Sequence, residues 1–323
     1  MEGGPFEPDS KTYTLSNPGG GSLNWSVSAG HPWVDAAPAS GTLVGGASTT
    51  VELALNANAD TLPAGVHTDT AVFADLTNSA EYTRSVTLTV LPPTPILTVE
   101  ELQLIGNDPG YPLNGHYVLT QDIDASSTAG WNSGAGFDPI GSSSLPFTGK
   151  FDGQGYVVTG LTINRPGENY VGLLAALGAG GVVQNLGLED SAVTGAQYVG
   201  GLTGNLPAGS TVLQCFSRGA VAGTSYVGGL AGQNYGAISQ SYATGIVTAT
   251  ASYAGGLTGW NTGTVTQCYA TGAVTATTSY GGGLVGYNAY GTCSQSYATG
   301  AVASVRYVGG LAGRNFSGIV SKC

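Results

Sequence analysis

The chain has 323 residues, 54 of them glycine and only 8% charged, which is long enough for two well-buried domains and too poor in charge for a disordered polyelectrolyte. A formal net charge of −11 excludes the clustered Lys and Arg that nucleic acids and anionic membrane surfaces require. The sequence has no run of about 18 apolar residues, so membrane insertion by a helix is excluded as well.

From Phe6 to Val90 apolar and polar positions alternate, as in Val51, Leu53, Leu55 and again Val86, Leu88, Val90. That is the period of antiparallel strands with one buried face. Breakers at Asn17-Pro18-Gly19-Gly20, Ser40-Gly41, Gly45-Gly46 and Pro63-Ala64-Gly65 divide the stretch into about seven strands, the number of an immunoglobulin-like β-sandwich, with Trp25 and Val27 in its core. This first domain is expected over 1–91. Pro92, Pro93 and Pro95 predict a stiff linker over 92–95 that cannot enter a central sheet. Met1 to Ser10 lacks the charged and apolar segments of a secretory signal, and Cys323 falls in mid-repeat, so a piece of a larger protein is expected.

After the linker Thr98 and Glu101 have capping-box spacing, Leu97 and Leu102 that of a hydrophobic staple, and Gly106 that of a stop. A short helix is predicted there, covering the first, otherwise open, edge of a repeat array. A Tyr-x-Gly-(Gly/Leu)-Leu unit then starts at Tyr170, Tyr198, Tyr226, Tyr253, Tyr280 and Tyr307, at intervals of 28, 28, 27, 27 and 27. A second block ends at Gly219, Gly245, Gly272 and Gly300. Such constancy predicts a solenoid over 96–323: a right-handed parallel β-helix with three short strands per coil, equivalent residues stacking at about 4.8 Å. Leu202, Leu230, Leu257, Leu284 and Leu311 should form one buried file.

At YVGGLAGQN from Tyr226 and GGGLVGYN from Gly281 the repeats resemble the bacterial GLUG-motif family. The lead-in, VEELQLIG, YVLTQDID, FDPIG and PFTGKFDGQGY, is similar to segments that precede such repeats in large bacterial surface proteins, including streptococcal-type peptidases that cleave immunoglobulin A. The zinc-peptidase motif HExxH is absent, so the resemblance implies an extracellular or cell-surface β-helix and no protease activity. NPGGGSLNWSVSA and ASGTLVGGASTTVELALNA are similar to BACON-type and other immunoglobulin-like modules, for which carbohydrate or mucin binding is suspected.

All 19 Asp and Glu lie at or before Asp190 and the last His is His116, so the repeats lack the carboxylates and imidazoles of acid–base and metal chemistry. Cys215, Cys268 and Cys323 share a repeat position with Ser241 and Ser296 between them. Two coils is roughly 9.6 Å, beyond the ~7 Å Cα limit of a disulfide, so free thiols are expected, with Cys293 replacing an inward apolar residue. Gln214, Gln240, Gln267 and Gln295 fall in register, as do Phe216, Tyr242, Tyr269 and Tyr297. Structurally these are an amide ladder and an aromatic stack; functionally, Tyr242, Tyr269, Tyr297, Gln240, Gln267 and Gln295 are the candidate ligand-binding strip.

Asp122, Asp124, Asp138 and Asp152, near Lys150 and Arg165, are where a lyase or hydrolase would place its acids, against a turn reading for each. Asp122, Asp124 and Asp138 could supply oxygens to calcium, although no calcium-loop spacing is present; no other cofactor is called for. Thr248-Ala249-Thr250 and Thr275-Ala276-Thr277 suggest an ice-binding face, broken in the neighbouring repeats. The reading is a non-catalytic surface stalk or adhesion module of a larger bacterial protein, not an enzyme. Its partners would be polysaccharide or host glycoprotein and the parent protein's other domains. An accessory carbohydrate-binding segment of a larger enzyme comes next, and a β-helical polysaccharide lyase or hydrolase last.

Overall fold

The structure, a computed structural model, describes Phe6 and residues 8–323 and divides into two compact units, Met1–Pro93 and Thr94–Cys323. The first unit has seven strands, β1 (Ser10–Ser16), β2 (Leu23–Ala29), β3 (Val34–Ala37), β4 (Ser40–Leu43), β5 (Ser48–Leu55), β6 (Gly65–Asp75) and β7 (Ala80–Val90). They form two antiparallel sheets ordered β1-β5-β3 and β4-β2-β6-β7. The alternation read from the sequence places Val27, Val51, Leu53, Phe73, Leu88 and Val90 in one core around Trp25. Trp25 pairs with Gly41, and a Cβ there would sit 2.8 Å from the indole, so glycine leaves room for the ring.

The second unit is a parallel solenoid. Its opening departs from the expected linker: Thr94–Ile96 is a strand, β8, which pairs with β9 (His116–Leu119). Pro95 is tolerated because β8 is the outermost strand of its sheet, where a missing N–H costs no ladder bond. The helix α1 (Val99–Leu104) is capped as predicted, Glu101 N–H donating to Thr98 Oγ1 at 3.2 Å and Leu97 N–H to Glu101 Oε2 at 2.7 Å. Val99, Leu102 and Ile105 enter the solenoid core. The staple does not form as expected, because Leu97 is 41% exposed.

Each regular coil carries five strands, not the three expected. One coil runs through Thr264–Thr266, Tyr269–Ala270, Val274–Ala276, Ser279–Gly282 and Val285–Ala289, giving five parallel sheets of nine, seven, six, six and five strands. The extra corners lie at residues the sequence does not punctuate. Gln214, Gln240, Gln267 and Gln295 take φ of 49 to 54°, and the six repeat-starting tyrosines φ of 53 to 66°, left-handed backbone more usual for Gly or Asn. Where glycine does mark a corner its reason is steric: a Cβ on Gly272 would run into the carbonyl oxygen of Gly245 in the coil before.

Between corners, inward residues stack as files. Val212, Ile238, Val265 and Cys293 are fully buried in register, as are Leu202, Leu230, Leu257 and Leu284, joined from coil to coil by backbone N–H to carbonyl bonds. Leu311, in the last coil, packs partly buried against the same core.

Candidate functional site: two aromatic files on the solenoid

Alternation around each Gln corner creates the predicted strip. In Gln240-Ser241-Tyr242 the serine points inward and is buried, while the glutamine is exposed and the tyrosine half-buried. Register repeats this in Gln267-Cys268-Tyr269 and, with the tyrosine exposed, in Gln295-Ser296-Tyr297. Phe216, Tyr242, Tyr269 and Tyr297 stack with centroids 5.0, 4.6 and 5.1 Å apart and rings within 6° of parallel. Because the faces are spent on one another, the strip presents ring edges and hydroxyls, so it suits hydrogen bonding better than stacking on sugar faces. Burial and the neighbouring phenols Tyr242 and Tyr297 push the Tyr269 pKa up, which keeps its hydroxyl a donor. Arg218 closes one end. Its guanidinium lies 4.6 Å from the Phe216 centroid, donates to Tyr242 Oη at 2.8 Å and pairs with Glu189 at 2.6 Å.

The glutamines form a weaker ladder than expected, the one amide bond among them running from Gln240 Nε2 to Gln267 Oε1 at 3.4 Å. The true amide ladder is internal. Asn234 Nδ2 donates to Asn261 Oδ1 at 2.7 Å, Asn261 to Asn288 at 2.8 Å and Asn288 to Asn315 at 2.7 Å, with Asn234, Asn261 and Asn288 fully buried. Asn234 Oδ1 is left unpartnered because Leu206 holds its position in the preceding coil.

A second aromatic file was missed as a site, its tyrosines having served only as register marks. Tyr170, Tyr198, Tyr226, Tyr253, Tyr280 and Tyr307 stack at 4.6 to 4.9 Å. On the neighbouring sheet Gln233, Trp260, Tyr287 and Arg314 are in register. Trp260 meets Tyr253 edge-on at 5.3 Å and lies 4.5 Å from Tyr287, and Arg314 sits 5.5 Å from the Tyr287 centroid. Burial pushes the Tyr198, Tyr226 and Tyr253 pKa values up.

Residues 6–90 match the family described as "Viral BACON domain", and residues 223–248 and 250–275 match "The GLUG motif". The chain carries GLUG-motif repeats behind a BACON domain. It is 40% identical over 109 residues to "Halomucin" of Haloquadratum walsbyi, covering 33% of this chain and 1% of that protein. It is 43% identical over 93 residues to "Putative Gly-rich membrane protein" of Evansella cellulosilytica, covering 28% and 11%. The chain thus spans only a small part of the length of these relatives. No solved structure matches it. The two matched GLUG segments supply Tyr226, Tyr242, Tyr253, Trp260 and Tyr269, so both aromatic files run through the motif.

The acidic residues of the lead-in are held singly. Asp122 accepts from Val157 N–H at 2.9 Å and Asp124 from Ser126 N–H at 2.9 Å, while Asp138 pairs with Arg165 at 3.1 Å. Among the described residues no group of three or more His, Cys, Asp or Glu side chains could hold a metal ion; at the residues named for calcium, Asp122 holds the backbone of the next coil, Asp124 a local turn and Asp138 an ion pair. Burial works against the Asp152 carboxylate. Hydrogen bonds from Asn185, Gln154 and Gln184, with Lys150 nearby, outweigh it and hold its pKa below the ordinary value. It is a turn anchor. Thr248 and Thr275 are in register with Ala222 on one side and Ala303 on the other, so the threonine file is two coils long.

Cys215, Cys268, Cys293 and Cys323 are all free thiols, the first three buried. The alternating serines bind the backbone between them, Ser241 Oγ accepting from Cys215 N–H at 3.1 Å and donating to Ser239 O at 2.7 Å. Burial pushes the thiols up, to about 12 for Cys215, about 11 for Cys268 and about 12 for Cys293.

Proposed function

We propose that the chain is a non-catalytic module of a larger cell-surface or extracellular protein, whose solenoid binds polysaccharide or glycoprotein through Gln240, Gln267, Gln295, Tyr242, Tyr269 and Tyr297. The observation that carries this reading is the glutamine file: exposed amides held in left-handed backbone with little packing return, at a conformational cost of about 1–3 kcal/mol each. Strain without compensating contacts is characteristic of surfaces kept for recognition. Relatives whose names point to a mucin and to a membrane protein support a place at the cell surface, and the absence of carboxylate and imidazole beyond Asp190 supports a scaffold over an enzyme. Modest affinity per coil would be raised by repetition along a polymer.

The test is affinity electrophoresis through gels containing neutral or uronic-acid polysaccharides. Retardation by at least one polymer, lost when Gln240, Gln267 and Gln295 are all changed to Ala, is expected. Migration unaffected by every polymer and by mucin-type glycoprotein, or retardation untouched by the triple change, contradicts the reading.

A further inference from the structure

A depression of about 420 Å³ opens on the solenoid beside α1, within the size range of small-molecule sites. It is lined by Gln103, Leu104, Asn107, Trp131, Asn132 and Asp138. Asn107, Asn132 and Asp138 are exposed and Trp131 is half-buried, so each can be reached from solvent. Trp131 packs on the buried Phe137, with centroids 6.4 Å apart and rings 24° from parallel, which commits one side of the indole to the core. Asn132 and Ser133 follow it at φ 51° and 58°, two successive left-handed residues where side chains ordinarily adopt that backbone singly. Strain of this kind gathers at ligand sites.

The polar groups of the depression are positioned without being used up. Gln103 spends both ends of its amide on Asp138, Nε2 donating to the carbonyl oxygen at 2.9 Å and Oε1 accepting from the N–H at 2.8 Å. Arg165 Nη2 holds Asp138 Oδ1 at 3.1 Å. Asn107 Nδ2 donates to Gln103 O and Asn132 Nδ2 to Gly136 O, both at 2.8 Å. Among the described residues nothing donates to Asn107 Oδ1, Asn132 Oδ1 or Asp138 Oδ2, and nothing accepts from Trp131 Nε1–H, which is not sealed from solvent.

We propose that this depression binds a neutral hexopyranose, its C–H face against the Trp131 indole and its hydroxyls on those four atoms. Sugar hydroxyls both donate and accept, so one ring can serve three acceptors and a donor, while the weakly positive hydrogens of its apolar face meet the negative face of the indole. An anion does not suit three oxygen acceptors, and the ion pair with Arg165 offsets the charge by which Asp138 would otherwise favour a cation. None of these residues belongs to the glutamine and tyrosine strip, so the site goes beyond that reading and does not depend on it.

The probes are methyl β-D-galactoside, methyl β-D-glucoside and methyl α-D-mannoside. Titrated into the ¹⁵N-labelled full chain, at least one should move the Trp131 indole resonance saturably while those of Trp25, Trp33 and Trp260 stay in place, and the response should persist when Gln240, Gln267 and Gln295 are all changed to Ala. Asn132→Gly suits the left-handed backbone and should fold at least as well, yet its lost acceptor should weaken binding about fivefold. Trp131→Leu should abolish the saturation-transfer signal of the sugar. Silence toward all three sugars, shifts that do not saturate or that move all four indoles equally, tighter binding of tetramethylammonium than of any sugar, or affinity unchanged in either folded variant overturns the assignment.

Discussion

The tyrosines and glutamines at left-handed corners show how one residue can be strained and useful at once. Left-handed backbone costs a side chain roughly 1–2 kcal/mol, while an aromatic pair returns about 0.5–1.5 kcal/mol. Tyr253, stacked between Tyr226 and Tyr280, has two such pairs and breaks even or better. Tyr253→Gly should therefore lose the stack but relieve the backbone, and Tyr253→Ala should lose the stack and keep the strain. The alanine variant is expected to be about 1 kcal/mol less stable than the glycine one by denaturant unfolding; equal stability would remove strain from the account.

The buried thiols give a pH prediction at the same scale. Their folded pKa values of about 11 to 12 lie above the ordinary 9.0, so above pH 9 the unfolded chain releases protons that the folded chain retains. The thiols' contribution to stability should be constant below that pH and be lost as pH rises from about 9 toward 12. Cys215→Ala should flatten part of that slope in thermal melts. In the native state Cys323 alone should react with a thiol reagent at neutral pH, and denaturation should reveal four reactive thiols; a count of two or fewer would mean disulfides and a wrong register.

Among the elements, the asparagine ladder in the six-stranded sheet that contains Val285–Ala289 is the one whose loss should be felt most. Asn261→Ala removes a donor and an acceptor at once, leaving Asn288 Oδ1 without its Asn261 donor and Asn234 Nδ2 with only the Thr264 carbonyl; roughly 2–4 kcal/mol is expected, against under about 0.5 kcal/mol for the exposed Gln267→Ala. Similar melting temperatures for the two variants would place the structural ladder back at the glutamines. Leu257→Asp buries an unpaired charge in mid-file, a cost of several kcal/mol. Soluble protein with unchanged melting would contradict the buried leucine file. The repeat length, the inward files and the cysteine pattern were legible because they depend only on register. The five-strand coil was not, since its added corners sit at Tyr and Gln rather than at Gly or Pro. The asparagine ladder was hidden for a related reason: asparagine two or three residues before a glycine reads as a turn until strand parity shows that its side chain points inward. Pro95 misled in the opposite direction, because only the finished sheet shows that its strand is an edge.

At the scale of the whole molecule, the three tyrosines of the candidate strip lie in register on successive coils, each two residues after its glutamine. Their use was harder to read, because ring faces look available in a sequence and are consumed by stacking at 4.6 to 5.1 Å in the fold. The Trp260 and Tyr287 cluster went unseen, since a single Trp in one repeat carries no periodic signal. With four charged side chains beyond Asp190, all basic, binding by the solenoid should vary little with salt. The central claim is that this chain holds polysaccharide without cleaving it. The most direct measurement exposes the purified chain, with and without calcium, to the polymers that retard it and follows new reducing ends together with the ultraviolet absorbance of unsaturated sugars. Binding with no product is the predicted result; turnover abolished by Asp124→Ala or Lys150→Ala would contradict it.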